Sequence, residues 1–144
     1  MAETLLVTGG CGFIGSNFIL YLLRAYPDAS VINLDKLTYA SNPENLRDVA
    51  ADPRYRFVRG DICDPQLVET LMSEVDGVIN FAAETHVDRS LMGAAPFIET
   101  DVHGVYVLLD AARRHPNVRR FVHVSTDEVY GELPPGVSAL ESDP

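Results

Sequence analysis

Two adjacent carboxylates, Asp127 and Glu128, follow a short apolar run that ends in the hydroxyl residues Ser125 and Thr126. In a site with little water, the pKa values of two neighbouring acids can be pushed apart, so that one acts as an acid and the other as a base. Thr126 could hydrogen-bond a reacting hydroxyl group. The alternative is an exposed acidic turn in which Thr126 only ends a strand. The position of the pair in the fold decides between the two interpretations.

A glycine-rich segment, residues 8–17, reads Thr-Gly-Gly-Cys-Gly-Phe-Ile-Gly-Ser-Asn and lies between a short apolar run and a longer one. A strand, a glycine turn and a helix in this order are the context of a dinucleotide site. Glycines permit a tight turn and a close approach to a pyrophosphate, whose charge the helix N-terminus favours. We therefore predict that Gly9, Gly12 and Gly15 bind a dinucleotide.

An acid, Asp35, ends a second apolar run twenty residues after Gly15. At this offset a carboxylate can accept hydrogen bonds from the ribose hydroxyls of adenosine, and it repels a 2′-phosphate. Asp35 therefore predicts NAD rather than NADP as the cofactor. The less specific alternative, a glycine turn that only caps a strand, does not account for strand, helix and acid together.

Strands and helices alternate along the chain. The predicted strands are Leu5–Thr8, Val31–Asp35, Tyr55–Arg59, Val78–Ala82 and Phe121–Ser125. The predicted helices are Phe13–Tyr26, Pro43 to about Val49 after the cap Asn42, Pro65 to about Ser73 after the cap Asp64, and Pro96–Arg114. The last is amphipathic because apolar residues recur at spacings of three and four: Ile98, Val102, Val105, Leu109 and Ala112. The pattern predicts an α/β fold with a Rossmann-type doubly wound parallel sheet in three layers and strand order 3-2-1-4-5. We expect this sheet to be truncated after strand five, where residues Gly131 to Pro144 form a loop.

Ligands of such sheets bind at the carboxyl ends of the strands. Five polar segments follow the five predicted strands, so we expect them to meet at one edge of the sheet. This convergence favours the functional interpretation of Asp127 and Glu128. It also predicts that Asp61, after the third strand, lies near an adenine. His86 fits two interpretations equally well, a substrate contact and a helix cap, and Glu84 is similar. We assign no function to the remaining histidines, His103, His115 and His123, and we interpret Tyr130 as a packing residue.

The composition is that of one globular domain, with 144 residues, 47% hydrophobic and 22% charged. The net charge of −10 argues against a nucleic-acid partner. Apolar runs stay below the roughly 18 residues of a membrane span, and the N-terminus lacks the pattern of a signal peptide. Cys11 and Cys63 have neither metal-ligand nor disulfide-framework spacing, so we predict no metal and a cytoplasmic location.

Five segments together resemble the dTDP-glucose 4,6-dehydratases of the extended short-chain dehydrogenase/reductase family. They are residues 8–17, 35–40, 60–64, 82–90 and 125–131, and the resemblance runs from Thr4 to about Glu132. Its most specific part is the run Thr-Asp-Glu-Val-Tyr-Gly at residues 126–131. Nucleotide-sugar 4-epimerases of the same fold usually carry a serine-rich segment there without the acid pair.

The resemblance implies a redox-neutral dehydration of a nucleotide sugar, in which NAD takes a hydride from C4, water leaves across C5–C6, and the hydride returns to C6. It implies that Glu128 is the base at C5, that Asp127 is the acid at the departing C6 hydroxyl, and that Thr126 holds the C4 hydroxyl. It also implies that Thr85, next to His86, contacts the substrate. The implied cofactor contacts are Phe13, Ile14, Asp35, Lys36, Leu37, Thr38, Asp61, Ile62, Ala82, Ala83 and Thr100.

One element of the family is missing. Its first step uses a Tyr-x-x-x-Lys pair, and no tyrosine here is followed four residues later by lysine, since Lys36 is the only lysine. We therefore expect residues 1–144 to be an incomplete NAD-binding domain without the C-terminal substrate domain, inactive alone and drawn from a homodimeric enzyme. The alternatives are a 4-epimerase and, if 144 residues are the whole product, a non-catalytic nucleotide-binding module. UDP- and CDP-sugars stay open beside dTDP-glucose.

Overall fold

A parallel β-sheet forms the centre of the protein. The computed structural model describes residues 3–86 and 93–143. Within these ranges the strands are β1 (Glu3–Thr8), β2 (Ala29–Asp35), β3 (Tyr55–Arg59), β4 (Gly77–Asn80) and β5 (Arg120–His123). Their order is β3-β2-β1-β4-β5, with every neighbouring pair parallel, so the predicted Rossmann-type topology is confirmed. The order reverses between β1 and β4, and such a switch point opens a crevice at the carboxyl ends of the strands.

Helices cover the sheet. The α-helices of the described ranges are α1 (Phe13–Ala25), α2 (Pro65–Met72), α3 (Ala95–Phe97) and α4 (Val105–Arg114). A π-helical segment, Ile98–Gly104, joins α3 to α4, and two 3-10 helices span Pro43–Val49 and Asp127–Tyr130. In the described part of the chain, no helix combines the length and the apolar character that crossing a membrane requires.

Both predicted proline-associated helix caps are confirmed. The Asn42 side chain accepts a hydrogen bond from the N–H of Glu44 at 3.2 Å, although the helix that it begins is a 3-10 helix. The Asp64 carboxylate accepts from the N–H groups of Gln66 and Leu67 at 3.0 and 3.1 Å. Each cap satisfies N–H groups that have no partner within the helix.

Two strands end earlier than predicted. β4 stops at Asn80 rather than at Ala82, and β5 stops at His123 rather than at Ser125. The N–H of Phe81 still donates to the Thr8 carbonyl, and the N–H of Val124 to the Asn80 carbonyl, both at 3.1 Å. Beyond these bonds the chain leaves the ladder, so the residues that follow form loops at the crevice.

The core lies on both faces of the sheet, as the apolar strands predict. On one face Leu6 and Leu34 pack with side chains of α2 and α4, among them Leu108. On the other face Val7 packs with side chains of α1, among them Ile19. Edge strand β5 is less well covered.

The predicted helix Pro96–Arg114 is present, but the apolar stripe that identified it is not its buried face. Ile98, Val102 and Leu109 are 59%, 63% and 48% exposed. The buried residues are instead Gly104, Val107, Leu108 and Ala111. Val105 and Ala112 of the stripe are half-buried. Within α4 the buried residues are themselves three and four apart, so the packed face lies beside the predicted stripe rather than on it. Gly104 allows the close approach, because a Cβ there would lie 2.6 Å from Ile62 Cδ1.

Gly9→Ala should lower the free energy of unfolding by about 2–4 kcal/mol, because Gly9 combines a φ of +66° with a close backbone neighbour. A Cβ at this position would lie 2.7 Å from the Ala82 backbone nitrogen. Gly131→Ala is the matched control, since Gly131 has a φ of +70° but nothing within 4 Å of a Cβ. It should cost only the strain of a backbone conformation that glycine alone adopts readily (φ 70°, ψ −163°), about 1–3 kcal/mol. Urea denaturation measures both, and equal losses would show that the approach to Ala82 is unimportant.

Candidate cofactor-binding site

A groove of about 150 Å³ lies at the carboxyl ends of β1 to β4, with the α3 and π-helical segments on its far side. Ten of the 14 predicted cofactor residues line it: Gly9, Gly12, Asp35, Lys36, Thr38, Asp61, Ile62, Ala82, Ala83 and Thr100. The other four, Phe13, Ile14, Gly15 and Leu37, are not among the lining residues. The fold thus brings most of the predicted cofactor contacts together in one groove.

The glycine loop forms one end of the groove. The N–H of Gly9 donates to the Leu34 carbonyl at 2.9 Å, and the N–H of Gly12 donates to the Gly9 carbonyl at 3.1 Å. A Cβ on Gly15 would lie 2.5 Å from the Gly9 carbonyl oxygen, so Gly15 permits the tight packing of α1 against the loop. These glycines therefore bring the backbone itself to the groove.

The N-terminus of α1 is suited to bind an anion. Its N-cap is Gly12, which supplies no side-chain cap for the N–H groups of the first turn. Phe13 and Ile14 occupy that turn and are 82% and 61% exposed. Uncapped N–H groups and the positive end of the helix dipole are suited to a pyrophosphate. The glycine cradle and this helix end fit the diphosphate of a dinucleotide.

Asp35 joins two loops of the groove. Its carboxylate accepts hydrogen bonds from the N–H of Cys11 (2.8 Å), the N–H of Leu37 (2.8 Å) and the hydroxyl of Ser41 (2.7 Å). The residue is only 4% exposed, and a carboxylate has about four acceptor positions. Three are used within the protein, which leaves room for one ribose hydroxyl. Leu37 is held at a φ of 60°, a conformation that non-glycine residues seldom adopt away from functional sites.

An ion pair connects the loops that follow β2 and β3. Lys36 Nζ lies 2.5 Å from Asp61 Oδ2, and both residues line the groove. The hydrogen bond to Asp61 raises the pKa of Lys36. Burial acts to raise the pKa of Asp61, but hydrogen bonds from Lys36 and the Cys63 N–H outweigh it, so this pKa is lowered. Both groups are therefore charged near neutral pH.

The far wall combines the loop after β4 with the helical segment. The N–H of Glu84 donates to Asp101 Oδ1 at 2.9 Å. Burial raises the pKa of the Asp101 carboxyl group, the N–H of Glu84 opposes the rise, and the charge of Glu84 adds to it. Cys63 donates its S–H to the Glu99 carbonyl at 3.2 Å, and burial raises its pKa to about 11. Cys63 is therefore a thiol at neutral pH and a poor nucleophile.

Sequence reasoning missed several residues of the groove. Ser41 follows the segment 35–40 and contributes through its bond to Asp35, which no spacing rule reveals. Glu99 and Pro96 come from a predicted helix whose approach to the groove depends on tertiary packing. For Glu99, the position next to Thr100 was the available signal.

The predicted catalytic residues lie at the end of β5, outside the groove lining. Thr126 is the N-cap of the 3-10 helix Asp127–Tyr130, and its Oγ1 accepts from the N–H of Glu128 at 3.3 Å and donates to Asp127 Oδ1 at 3.4 Å. All three residues are exposed. The described residues thus do not surround the acid pair with the water-poor environment that acid–base catalysis favours, and the three roles stay predictions.

The predicted substrate residues Thr85 and His86 are exposed in the irregular segment after β4. They too lie outside the groove lining, and their roles stay predictions. Within the described ranges, no group of three or more His, Cys, Asp or Glu side chains is arranged to hold a metal ion.

Comparison with known proteins shows the family. The sequence model of the GDP-mannose 4,6 dehydratase family matches residues 6–144. The chain belongs to this family. The dTDP-glucose 4,6-dehydratase of Streptomyces griseus is 54% identical over 146 residues, which cover 100% of this chain and 44% of that protein. The resemblance recognised from the five sequence segments is confirmed.

Solved structures agree with the fold. The dTDP-glucose 4,6-dehydratase DesIV of Streptomyces venezuelae, crystallised with NAD and TYD bound, superposes with a TM-score of 0.91 at 55% identity, over 98% of this chain and 44% of that chain. A UDP-glucose-4-epimerase of Stenotrophomonas maltophila with bound NAD gives 0.85 at 28% identity, over 98% of this chain and 42% of its own. The chain thus spans less than half the length of these relatives.

Asp35→Ala should lower the free energy of unfolding by about 3 kcal/mol, because one buried N–H, one half-buried N–H and one hydroxyl lose their acceptor. Chemical denaturation of the chain measures the change. Asp28→Ala is the matched control, since Asp28 is exposed on the opposite end of β2 and should change the stability by less than about 0.5 kcal/mol. If Asp35→Ala were as mild as the control, the two loops would not depend on this carboxylate.

Proposed function

We propose that the chain is the NAD-binding part of a nucleotide-sugar 4,6-dehydratase that acts on dTDP-glucose. The observation that carries the proposal is the groove at the switch point, where ten predicted cofactor residues meet. Relatives named dTDP-glucose 4,6-dehydratase, one of them solved with NAD, support the same assignment. The more distant epimerase likeness agrees with the fold but not with the acid pair.

The chain's own residues would hold NAD as follows. The glycine loop and the N-terminus of α1, with Phe13 and Ile14, face the pyrophosphate, and the free acceptor position of Asp35 takes a ribose hydroxyl. The buried charge of Asp35 disfavours a 2′-phosphate, so NAD is preferred to NADP. Asp61 and Ile62 border the adenine, and Ala82, Ala83 and Thr100 form the wall nearer β4.

The dehydration needs a base and an acid on neighbouring carbons. Bound NAD supplies the hydride acceptor for sugar C4 and the hydride donor for C6. Glu128 removes the proton from C5, which a ketone at C4 makes acidic, and Asp127 protonates the departing hydroxyl at C6. Thr126 holds the C4 hydroxyl, and Thr85 and His86 contact the sugar nucleotide. Because Asp127 and Glu128 are exposed here, substrate or further protein must exclude water from them.

Several parts of the proposed reaction depend on protein segments other than these 144 residues. The Tyr-x-x-x-Lys pair and the substrate domain would belong to the remaining length of the relatives, which this chain does not match. The 144 residues should therefore bind NAD weakly and turn nothing over. A non-catalytic nucleotide-binding module is the second candidate, and dehydration by the isolated chain would argue against it. Free cysteines agree with a cytoplasmic location.

In the enzyme that contains this chain, Glu128→Gln should slow exchange of the dTDP-glucose C5 proton with solvent by about 100-fold, because glutamine cannot act as a base. Mass spectrometry of the sugar in deuterated water follows the exchange. Glu132→Gln is the matched control, an exposed acid four residues away that should leave the rate unchanged. Normal exchange in Glu128→Gln would refute the assignment of the base.

The exposed stripe of the π-helical segment and α4 supports the proposed homodimer. Ile98, Val102, Tyr106 and Leu109 recur at spacings of four, four and three, and each is 48–63% exposed. Apolar side chains gathered on one helix face mark an interaction surface more often than scattered ones do. A second copy could cover this stripe with its own.

Val102→Asp should weaken self-association of the enzyme at least about tenfold, because the charge would be buried against apolar side chains. Analytical ultracentrifugation over a range of concentrations measures the dissociation constant. Val137→Asp, also at an exposed valine but outside the stripe, serves as the control. An unchanged dimer in Val102→Asp would exclude this helix face as the contact.

A further inference from the structure

A row of polar side chains crosses the sheet beneath the crevice. Thr8, Asn80 and His123 are register partners on β1, β4 and β5. Thr8 and Asn80 are fully buried. The Thr8 hydroxyl donates to Asn80 Oδ1, and Asn80 Nδ2 lies 2.9 Å from His123 Nδ1. His123, on the edge strand, is exposed. Buried polar groups such as Thr8 and Asn80 call for an explanation.

The row determines the tautomer of His123. An amide nitrogen can only donate, so Nδ1 of His123 must accept and its ring proton must be on Nε2. The Ala82 carbonyl can only accept, and it lies 3.5 Å from the same Nδ2, which fixes the orientation of the amide. His123 is thus held by a directional bond from Asn80 on β4.

The same amide is connected to the wall of the groove. Ala82 lines the groove, and its carbonyl accepts from Asn80 Nδ2 while its N–H donates to the Thr8 hydroxyl at 3.4 Å. A polar path therefore runs from His123 through Asn80 to the loop after β4.

His123 also lies three residues before Thr126, the first residue of the predicted catalytic segment. The last sheet bond on this side joins the N–H of Val124 to the Asn80 carbonyl, and Thr126 follows two residues later. After Val124, no ladder bond between described residues fixes the direction of the chain. Orientation of residues 124–128 therefore depends on how firmly the end of β5 is held.

We propose that His123 is a positioning residue, which ties the end of β5 and the segment Thr126–Glu128 to Asn80 and, through Asn80, to the Ala82 side of the cofactor groove. The inference rests on the proposed function of that segment. It assigns to His123 no contact with substrate or NAD. Its effect on the reaction is through the placement of Thr126, Asp127 and Glu128.

The test compares two substitutions of this histidine. His123→Leu removes the acceptor for Asn80 Nδ2, whereas His123→Asn places an amide oxygen near the position of Nδ1. In the enzyme that contains this chain, His123→Leu should lower kcat for dehydration about tenfold, because small displacements of reacting groups slow catalysis strongly. The KM for dTDP-glucose and the Kd for NAD should change by less than about threefold, and His123→Asn should recover most of kcat.

Nuclear magnetic resonance of the 144-residue chain tests the geometry apart from activity. The ¹⁵N shifts of the His123 ring should show an unprotonated Nδ1, and the Asn80 side-chain amide should lose protection from exchange in His123→Leu. A proton on Nδ1 would overturn the inference, and so would equal kcat in the two variants. Failure of the unaltered enzyme to dehydrate dTDP-glucose would refute the proposed function instead, while the ring shifts would still report the geometry.

Discussion

The carboxylate of Asp35 is the contact on which the site depends. It receives hydrogen bonds from the glycine loop at Cys11 and from the loop after β2 at Leu37 and Ser41. A buried carboxylate is tolerated only when such donors surround it, and charge-assisted bonds of this kind are strong and directional. The charge that predicts a ribose contact therefore also builds the groove, because it fixes two of the loops that form it.

The predicted cofactor half of the site, formed by the loops after β1 to β3, is more completely enclosed than the predicted catalytic half, the segment after β5. Loops after β1, β2 and β3 are joined by the Asp35 bonds and the Lys36–Asp61 ion pair. In the described part of the chain, the hydrogen bonds of Thr126 are local, to Asp127, Glu128 and Val129. β5 lies at the edge of the sheet and its Val122 is 41% exposed. The cofactor half is preorganised here, whereas acid–base chemistry needs further enclosure.

Local signals made the fold and much of the groove predictable from sequence. The glycine motif, the offset of Asp35 and the caps Asn42 and Asp64 each act within a few residues or within one βαβ unit. The buried face of the helix beyond Ile98 was not predictable, because apolar residues occur on two of its faces and a glycine decides which side packs closely against Ile62. Ser41 and the partners of His123 depend on contacts between distant elements.

The likeness to an epimerase indicates which part of the protein distinguishes one reaction from the other. A 4-epimerase and a 4,6-dehydratase superpose on this chain with similar quality, so the sheet and the groove do not distinguish the two reactions. Both reactions involve a hydride at C4, which explains a shared cofactor cradle. Only the dehydration needs a proton removed at C5 and another delivered to a leaving hydroxyl. The difference must therefore lie in the groups near the sugar, and in this chain the adjacent acids after β5 are the side chains suited to supply it.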